Sequence, residues 1–194
     1  RRQRQMCIRD SRQREGLEVI NSQAKNLTAF LDSYHRLTHL PEPEYKTVSV
    51  PALFTKLERL LQAEPRSERV VYCDGKADRS TGKELQVYGD ANLLTLALIN
   101  LIRNALQAVE GQEDGIVRVD TCAGATGHLL IIITDNGPGI PPERLSAIFT
   151  PFFSTKSGGS GIGLPISQRI MQLHGGQLSV SSIPNVRTEF RMEF

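Results

Sequence analysis

Residues 90–109, D-A-N-L-L-T-L-A-L-I-N-L-I-R-N-A-L-Q-A-V, constrain the fold more than any other stretch. Asp90 is placed to cap a helix, and the residues after it are apolar almost all round. Such a helix lies deep in a core. Around it the pattern predicts a short strand at 46–50 and a helix from Pro51, a residue suited to a first turn, to about Glu64. R-V-V-Y-C (69–73) and L-Q-V-Y (85–88) read as the strands of a hairpin, with D-G-K-A-D-R-S-T-G-K as its polar turn. Strands at 116–121 and 129–134 come next, joined by a glycine-bearing turn. A short helix at 142–148 precedes an irregular stretch to Gly163, then a helix at 164–174 ends at Gly175 and Gly176. Strands at 178–182 and 188–194 complete the series. Irregular alternation with hairpins favours an α/β two-layer sandwich, a mixed and largely antiparallel sheet packed on helices, over a doubly wound parallel sheet.

The chain has 194 residues, of which 39% are apolar and 23% charged, enough to bury a core. No window approaches about 18 consecutive apolar residues and no signal peptide opens the chain. The expectation is a cytoplasmic segment that does not cross a membrane. Cys7, Cys73 and Cys122 are isolated, which argues against a disulfide scaffold or zinc module and suits a reducing compartment. The net charge of +2 hides an asymmetry: residues 1–14 hold six arginines and one aspartate, leaving 17 basic and 20 acidic residues elsewhere. A nucleic-acid-binding body should be basic, so nucleic acid is excluded as a partner. Residues 1–16 are expected to be a basic tail, disordered or left over from cloning.

From Leu17 the apolar residues Leu17, Ile20, Ala24, Leu27, Leu31 and Tyr34 are spaced 3-4-3-4-3, the seam of a bundle helix. Leu37 and Leu40 prolong the edge until P-E-P at 41–43 stops it. Such a seam needs an apolar partner: a second helix, another copy, or the face of the main domain. The division expected is a helix at 17–40, a linker at 41–45 and one domain over 46–194.

Three segments can carry chemistry. Asn100, Arg103, Asn104 and Gln107 form a polar stripe on the buried helix, with the amides of Asn100 and Asn104 one turn apart. Unpaired, each buried amide would cost roughly 1–3 kcal/mol. An Asn carbonyl oxygen also suits Mg²⁺, although both amides could equally serve loop backbone. In I-T-D-N-G-P-G-I (133–140), Asp135 ends an apolar strand, where it can accept a hydrogen bond from an exocyclic amine such as adenine's. Gly137 and Gly139 let backbone approach a flat ring, though D-N-G-P-G also writes a plain turn. In T-P-F-F-S-T-K-S-G-G-S-G-I-G-L (150–164), Gly158, Gly159, Gly161 and Gly163 lead into a helix start, an anion site to which Lys156 adds a point charge. Phe149, Phe152 and Phe153 would anchor that segment, which a mobile surface loop would not need. The spacing matches neither the Walker phosphate loop nor a dinucleotide fingerprint, and in the 74–83 turn Lys83 is followed by Glu84 rather than Ser or Thr.

Taken in order, these segments resemble the catalytic ATP-binding domain of sensor histidine kinases, in the superfamily shared with gyrase, Hsp90 and MutL. N-L-I-R-N-A (100–105) resembles the asparagine box, D-N-G-P-G-I (135–140) the first glycine box, P-F-F-S-T-K (151–156) the phenylalanine box and G-S-G-I-G-L (159–164) the second glycine box. The resemblance covers about residues 46–194 and implies a Bergerat-type fold of the short-lid, nitrogen-regulation kind. It implies that Asn104 binds Mg²⁺ with Asn100 assisting, and that Asn100, Asn104 and Lys156 are catalytic. It further implies ATP contacts from Asn104, Asp135, Gly137, Gly139, Ile140, Lys156, Gly159, Ser160, Gly161, Ile162, Gly163, Leu164 and Thr188. Arg187 stands where the family has a glycine before that threonine.

The segment 17–40 resembles the second helix of the family's dimerisation hairpin. The acceptor histidine belongs on the first helix in a pattern like H-E-[IL]-x-N, which none of the four histidines has. His128 falls in a hairpin, and His174 at a helix C-terminus has the helix dipole as its ordinary explanation. The reading implied is a kinase that passes the γ-phosphoryl of ATP to a hairpin histidine, for relay to a response-regulator receiver domain, as a homodimer when full length. The fragment itself is expected to lack the acceptor. The superfamily's ATPases carry a glutamate where Asn100 stands, which favours kinase over ATPase; a serine kinase or a nucleotide-gated dimerisation module of the same fold are the other readings.

Overall fold

The computed structural model describes residues 38–73, 84–123, 128–156 and 159–194, together with residues 21, 23, 24, 28, 31, 34 and 35. The basic tail, Cys7, the turns at 74–83 and 124–127, Gly158, and Leu17, Ile20, Leu27 and Leu37 of the seam lie outside them. The chain divides into two compact units, 1–40 and 41–194. In the first, residues 21, 23, 24, 28, 31, 34, 35 and 38 are helical. Its described seam members Ala24, Leu31 and Tyr34 are exposed. The rings of His35 and His39 stack at 4.3 Å.

The second unit begins with β1 (Lys46–Ser49), whose last residue caps α1 (Val50–Leu61): Ser49 Oγ accepts from the Ala52 amide at 3.2 Å. Helix α1 buries Val50, Leu53, Phe54, Leu57 and Leu61, one stripe at helical spacing. After β2 (Val70–Tyr72) and β3 (Gln86–Gly89) comes α2 (Ala91–Ala108). Asp90 caps it as expected, its Oδ1 accepting from Asn92 N at 2.8 Å and Leu93 N at 3.0 Å. At the other end the Arg69 guanidinium donates to Val109 O, at the helix C-cap, and to Gln112 O in the turn beyond it.

Strands β4 (Val117–Ala123), β5 (Leu129–Asp135), β6 (Gln177–Ile183) and β7 (Arg187–Glu193), with α3 (Gly163–Leu173) between β5 and β6, complete the layers. The main sheet has the order β2-β4-β5-β7-β6, with β2 parallel to β4 and every other pair antiparallel. Its inner face, carrying Val119, Ile131, Ile133, Phe190 and Met192, is closed by Leu98, Leu101 and Ile102 of α2 and by Ile170 and Met171 of α3. Each such fully buried side chain contributes roughly 1.5–3 kcal/mol of apolar burial.

Two local expectations are corrected. The strands flanking 74–83 do not pair with each other: β3 joins β1 in a separate two-stranded sheet, and β2 lies parallel to β4. The chain therefore changes sheets between Tyr72 and Gln86. At 142–148 the expected helix reduces to one 3₁₀ turn, Pro142–Arg144, continued by turns. The tandem prolines 141 and 142 supply no N–H, no side chain caps the turn, and only a few residues remain before Pro151.

The chain enters this unit along the ends of α2 and α3. Glu44 N donates to Asp90 Oδ2 at 2.8 Å, the Tyr45 hydroxyl donates to Leu173 O, and its ring stacks on Tyr88 and meets His174 edge-on. Asp90 N–H donates to His174 Nε2 at 2.9 Å, which leaves Nδ1–H to donate to Ile170 O at 2.7 Å. His174 thus ties the helix C-terminus to the start of α2 by hydrogen bonding.

Candidate functional site

A cleft of about 490 Å³ opens among the second half of α2, the loop after β5, and the residues leading into α3. Three steps along α2 organise it. At Asn100, Nδ2 reaches Gly163 O across 3.4 Å, so the first carboxamide faces the start of α3. One turn on, Asn104 also lines the cleft, and among the described residues its carboxamide has no protein hydrogen-bond partner. At the last turn Ala108 abuts the β5 loop so closely that a Cβ on Gly137 would lie 2.9 Å from that of Ala108. Gly137 is therefore required by packing behind the cleft, and it does not line it.

Asp135 is 2% exposed at the end of β5. Its Oδ1 accepts from Gly137 N at 2.9 Å, while Oδ2 has no protein partner among the described residues. Burial pushes this carboxyl up to about 6, against the opposing pull of the Gly137 amide and of Lys156. Opposite it on β7 stands Thr188, whose hydroxyl meets Ser182 Oγ at 3.2 Å. Ser182 Oγ also accepts from Ile140 N at 2.8 Å, which ties the loop to the β6–β7 hairpin. Arg187 is accommodated where a glycine was expected: its side chain lies toward Glu189 and solvent, and its carbonyl accepts from Ser182. Gly139, at φ +75°, has no room for a Cβ, which would fall 2.9 Å from Ile183 O and Pro184 Cα.

The segment before α3 doubles back on itself. Phe152 N donates to Gly161 O at 3.0 Å, and both residues have positive φ, 65° and 64°. Of the three phenylalanines, Phe149 and Phe153 are half-buried and Phe153 lines the cleft, but Phe152 is 39% exposed and does not anchor the segment by burial. The ammonium of Lys156 donates to Gln107 Oε1 at 2.8 Å and lies 3.5 Å from Asn104 O. Burial of that ammonium holds it below the usual lysine range, opposed by the attraction of Asp135 and Glu110. Ile162 precedes α3 without a side-chain cap, so the helix offers its first amides and positive end to the cleft.

Of the residues singled out from sequence, Asn100, Asn104, Asp135, Gly139, Ile140, Lys156, Gly159, Ser160, Gly161, Gly163, Leu164 and Thr188 line the cleft, and Gly137 and Ile162 lie behind it. Arg144, Ile148, Pro138, Pro141, Ala108 and Phe190 line it without having been singled out, and Arg103 and Gln107 line it without having been given a role. Gln107 was the recoverable one, since it shares the polar stripe of Asn104. Among the described residues Asp135 is the one acid in the lining, and no group of three or more His, Cys, Asp or Glu is placed to hold a metal.

The chain is 32% identical over 168 residues to the sensor histidine kinase ZraS of Salmonella typhimurium, covering 86% of this chain and 34% of that protein. It is 34% identical over 184 residues to the sensory histidine kinase/phosphatase NtrB of Vibrio alginolyticus, covering 90% of this chain and 50% of that one. The chain thus spans about a third to a half of these curated relatives. Its structure resembles the catalytic domain of the histidine kinase ThkA with a TM-score of 0.63 and 27% identity, over 78% of this chain and 95% of that one. The model of the family "Histidine kinase-, DNA gyrase B-, and HSP90-like ATPase" matches residues 89–194, more than half of the chain, and the protein belongs to that family, as an ATP-binding catalytic domain of the sensor histidine kinase kind.

Proposed function

We propose that residues 46–194 bind Mg·ATP and transfer its γ-phosphoryl group to a histidine on a separate helix hairpin, to which residues 17–40 contribute one helix. The observation that carries this reading is the polarity of the cleft. At one end a buried carboxylate keeps an oxygen open, complementary to the exocyclic amine of adenine. At the other an uncapped helix terminus offers amides to phosphates. Between them the Asn104 side-chain carbonyl has no partner among the described residues, and a hard oxygen there fits Mg²⁺ shared with phosphate oxygens. The cation, when bound, neutralises phosphate charge.

The chain's own residues then position the substrate. Asp135 holds the base, the α3 amides with Gly161 and Gly163 hold the phosphates, and Asn100 fixes the start of α3. An imidazole nitrogen forms the new bond to the γ-phosphorus as the bond to the β–γ bridging oxygen breaks, leaving ADP. No base is needed to activate water, and among the described residues no carboxylate on α2 lines the cleft to do so. Relay to a receiver domain, dimerisation in the full-length protein and a cytoplasmic location belong to the same reading.

The test supplies the chain with labelled ATP and a separate hairpin bearing the acceptor histidine. Acid-labile label on the hairpin supports the kinase; phosphate release alone, or tight binding with neither, overturns it. Asn104→Ala should lower the transfer rate by roughly 10²-fold or more and remove the Mg²⁺ dependence of ATP binding. Retained transfer would refute its role.

A further inference from the structure

The contact between Lys156 and Gln107 is not explained by phosphate binding. Along α2 the cleft runs from Asn100, which faces the start of α3, to Ala108, which abuts Gly137 beside Asp135. At 1.5 Å of rise per residue these ends are about 12 Å apart. The ammonium of Lys156 is bonded to Gln107 Oε1 at 2.8 Å and lies 3.5 Å from Asn104 O, both on the last turn of the helix. Asn104 O is the carbonyl that the helix repeat pairs with the amide of Ala108. The positive charge therefore sits toward the end where a base would lie, not at the α3 terminus where phosphates would. Asp135 and Glu110 both attract it.

We propose that Gln107 is a positioning residue that berths Lys156 across the base half of the cleft, making the site selective for phosphorylated nucleotides over nucleosides. A nucleoside must evict the ammonium and offers it nothing in exchange. A di- or triphosphate evicts it too, but gives it phosphate oxygens to bind. Lys156 suits such a swing because its ammonium is carried on a flexible four-carbon stem. The inference rests on the ATP reading above and concerns the discrimination made at that same cleft.

Dissociation constants for adenosine and for Mg·ATP are measured by calorimetry or ligand-observed NMR on the parent chain, Lys156→Met, Gln107→Leu and Gln107→Glu. Lys156→Met should bind adenosine about threefold to tenfold more tightly and ATP more weakly, an opposition in sign that general loosening cannot give. Gln107→Leu should tighten both ligands by about threefold. Gln107→Glu should weaken adenosine, which carries no charge for the new carboxylate to repel. Adenosine affinity unchanged or reduced in both Lys156→Met and Gln107→Leu overturns the berth. A parent chain that binds no ATP overturns instead the functional reading on which it stands.

Discussion

Asp135→Asn is expected to lower ATP affinity by roughly 10- to 100-fold while leaving the nucleotide-free fold at least as stable as the parent. The two effects have one source. The carboxylate is 2% exposed and, among the described residues, only the Gly137 amide donates to it in place of water. Burial raises its pKa from 3.8 to about 6, so the folded protein prefers the protonated form. The stabilising contribution of that proton is complete below the unfolded value and is lost as pH rises through about 6. Over that window the parent should lose stability relative to Asp135→Asn by on the order of 3 kcal/mol, read from denaturant midpoints at pH 4 and 7. Ligand binding runs the other way, because an amine donor favours the ionised carboxylate. The ratio of parent to variant affinity for ATP should therefore rise from pH 5 to 7; titration of the phosphates is common to both proteins and cancels. A ratio independent of pH would remove Asp135 from the base contact.

Gly161→Ala should be the most damaging single-methyl change in the segment before α3. At φ +64° an L-residue costs roughly 1–2 kcal/mol from backbone sterics alone. Here the added Cβ would also lie 2.6 Å from Phe152 C and 2.7 Å from Phe153 O, backbone atoms that cannot turn aside. The Phe152–Gly161 hydrogen bond has to break, and the amides leading into α3 lose their aim. ATP affinity should fall about tenfold or more, with a drop in Tm of roughly 3–8 °C. Gly163→Ala is the control. Its Cβ would meet Asn100 at 3.7 Å, an ordinary contact, so binding should stay within about twofold of the parent. Equal losses in the two variants would mean that the glycines matter through general flexibility and not through this close approach.

Much of this cleft could be read from the chain because its parts are local. A buried aspartate at a strand end, glycines spaced for close approach and a glycine run before a helix are each written within a dozen residues. The cap at Asp90 and the β4–β5 hairpin are local in the same sense. What escaped was long-range. R-V-V-Y-C and L-Q-V-Y flank a polar turn as a hairpin would, but the partner of β2 is β4, and no short pattern encodes a parallel pairing across an intervening helix. The helix expected at 142–148 failed on paired prolines and shortness, where packing rather than periodicity decides. Lys156 and Gln107 are 49 residues apart, and the contact exists only because α2 and the folded segment share one cleft. The apparent defect at Arg187 disappears once the outward face of β7 is known, since the strand puts that side chain beside Glu189 and away from Thr188.

The attachment of Glu44 and Tyr45 has a mechanical corollary. Asp90 begins α2 and Leu173 ends α3, so the incoming backbone is fastened to the tails of both helices whose opposite ends frame the cleft. Helices resist stretching far better than glycine loops do. A pull on the backbone at Glu44 and Tyr45 is consequently borne first by the ends of α2 and α3 remote from the cleft, and reaches Asn100, Ala108 and Gly163 only along the length of two rods.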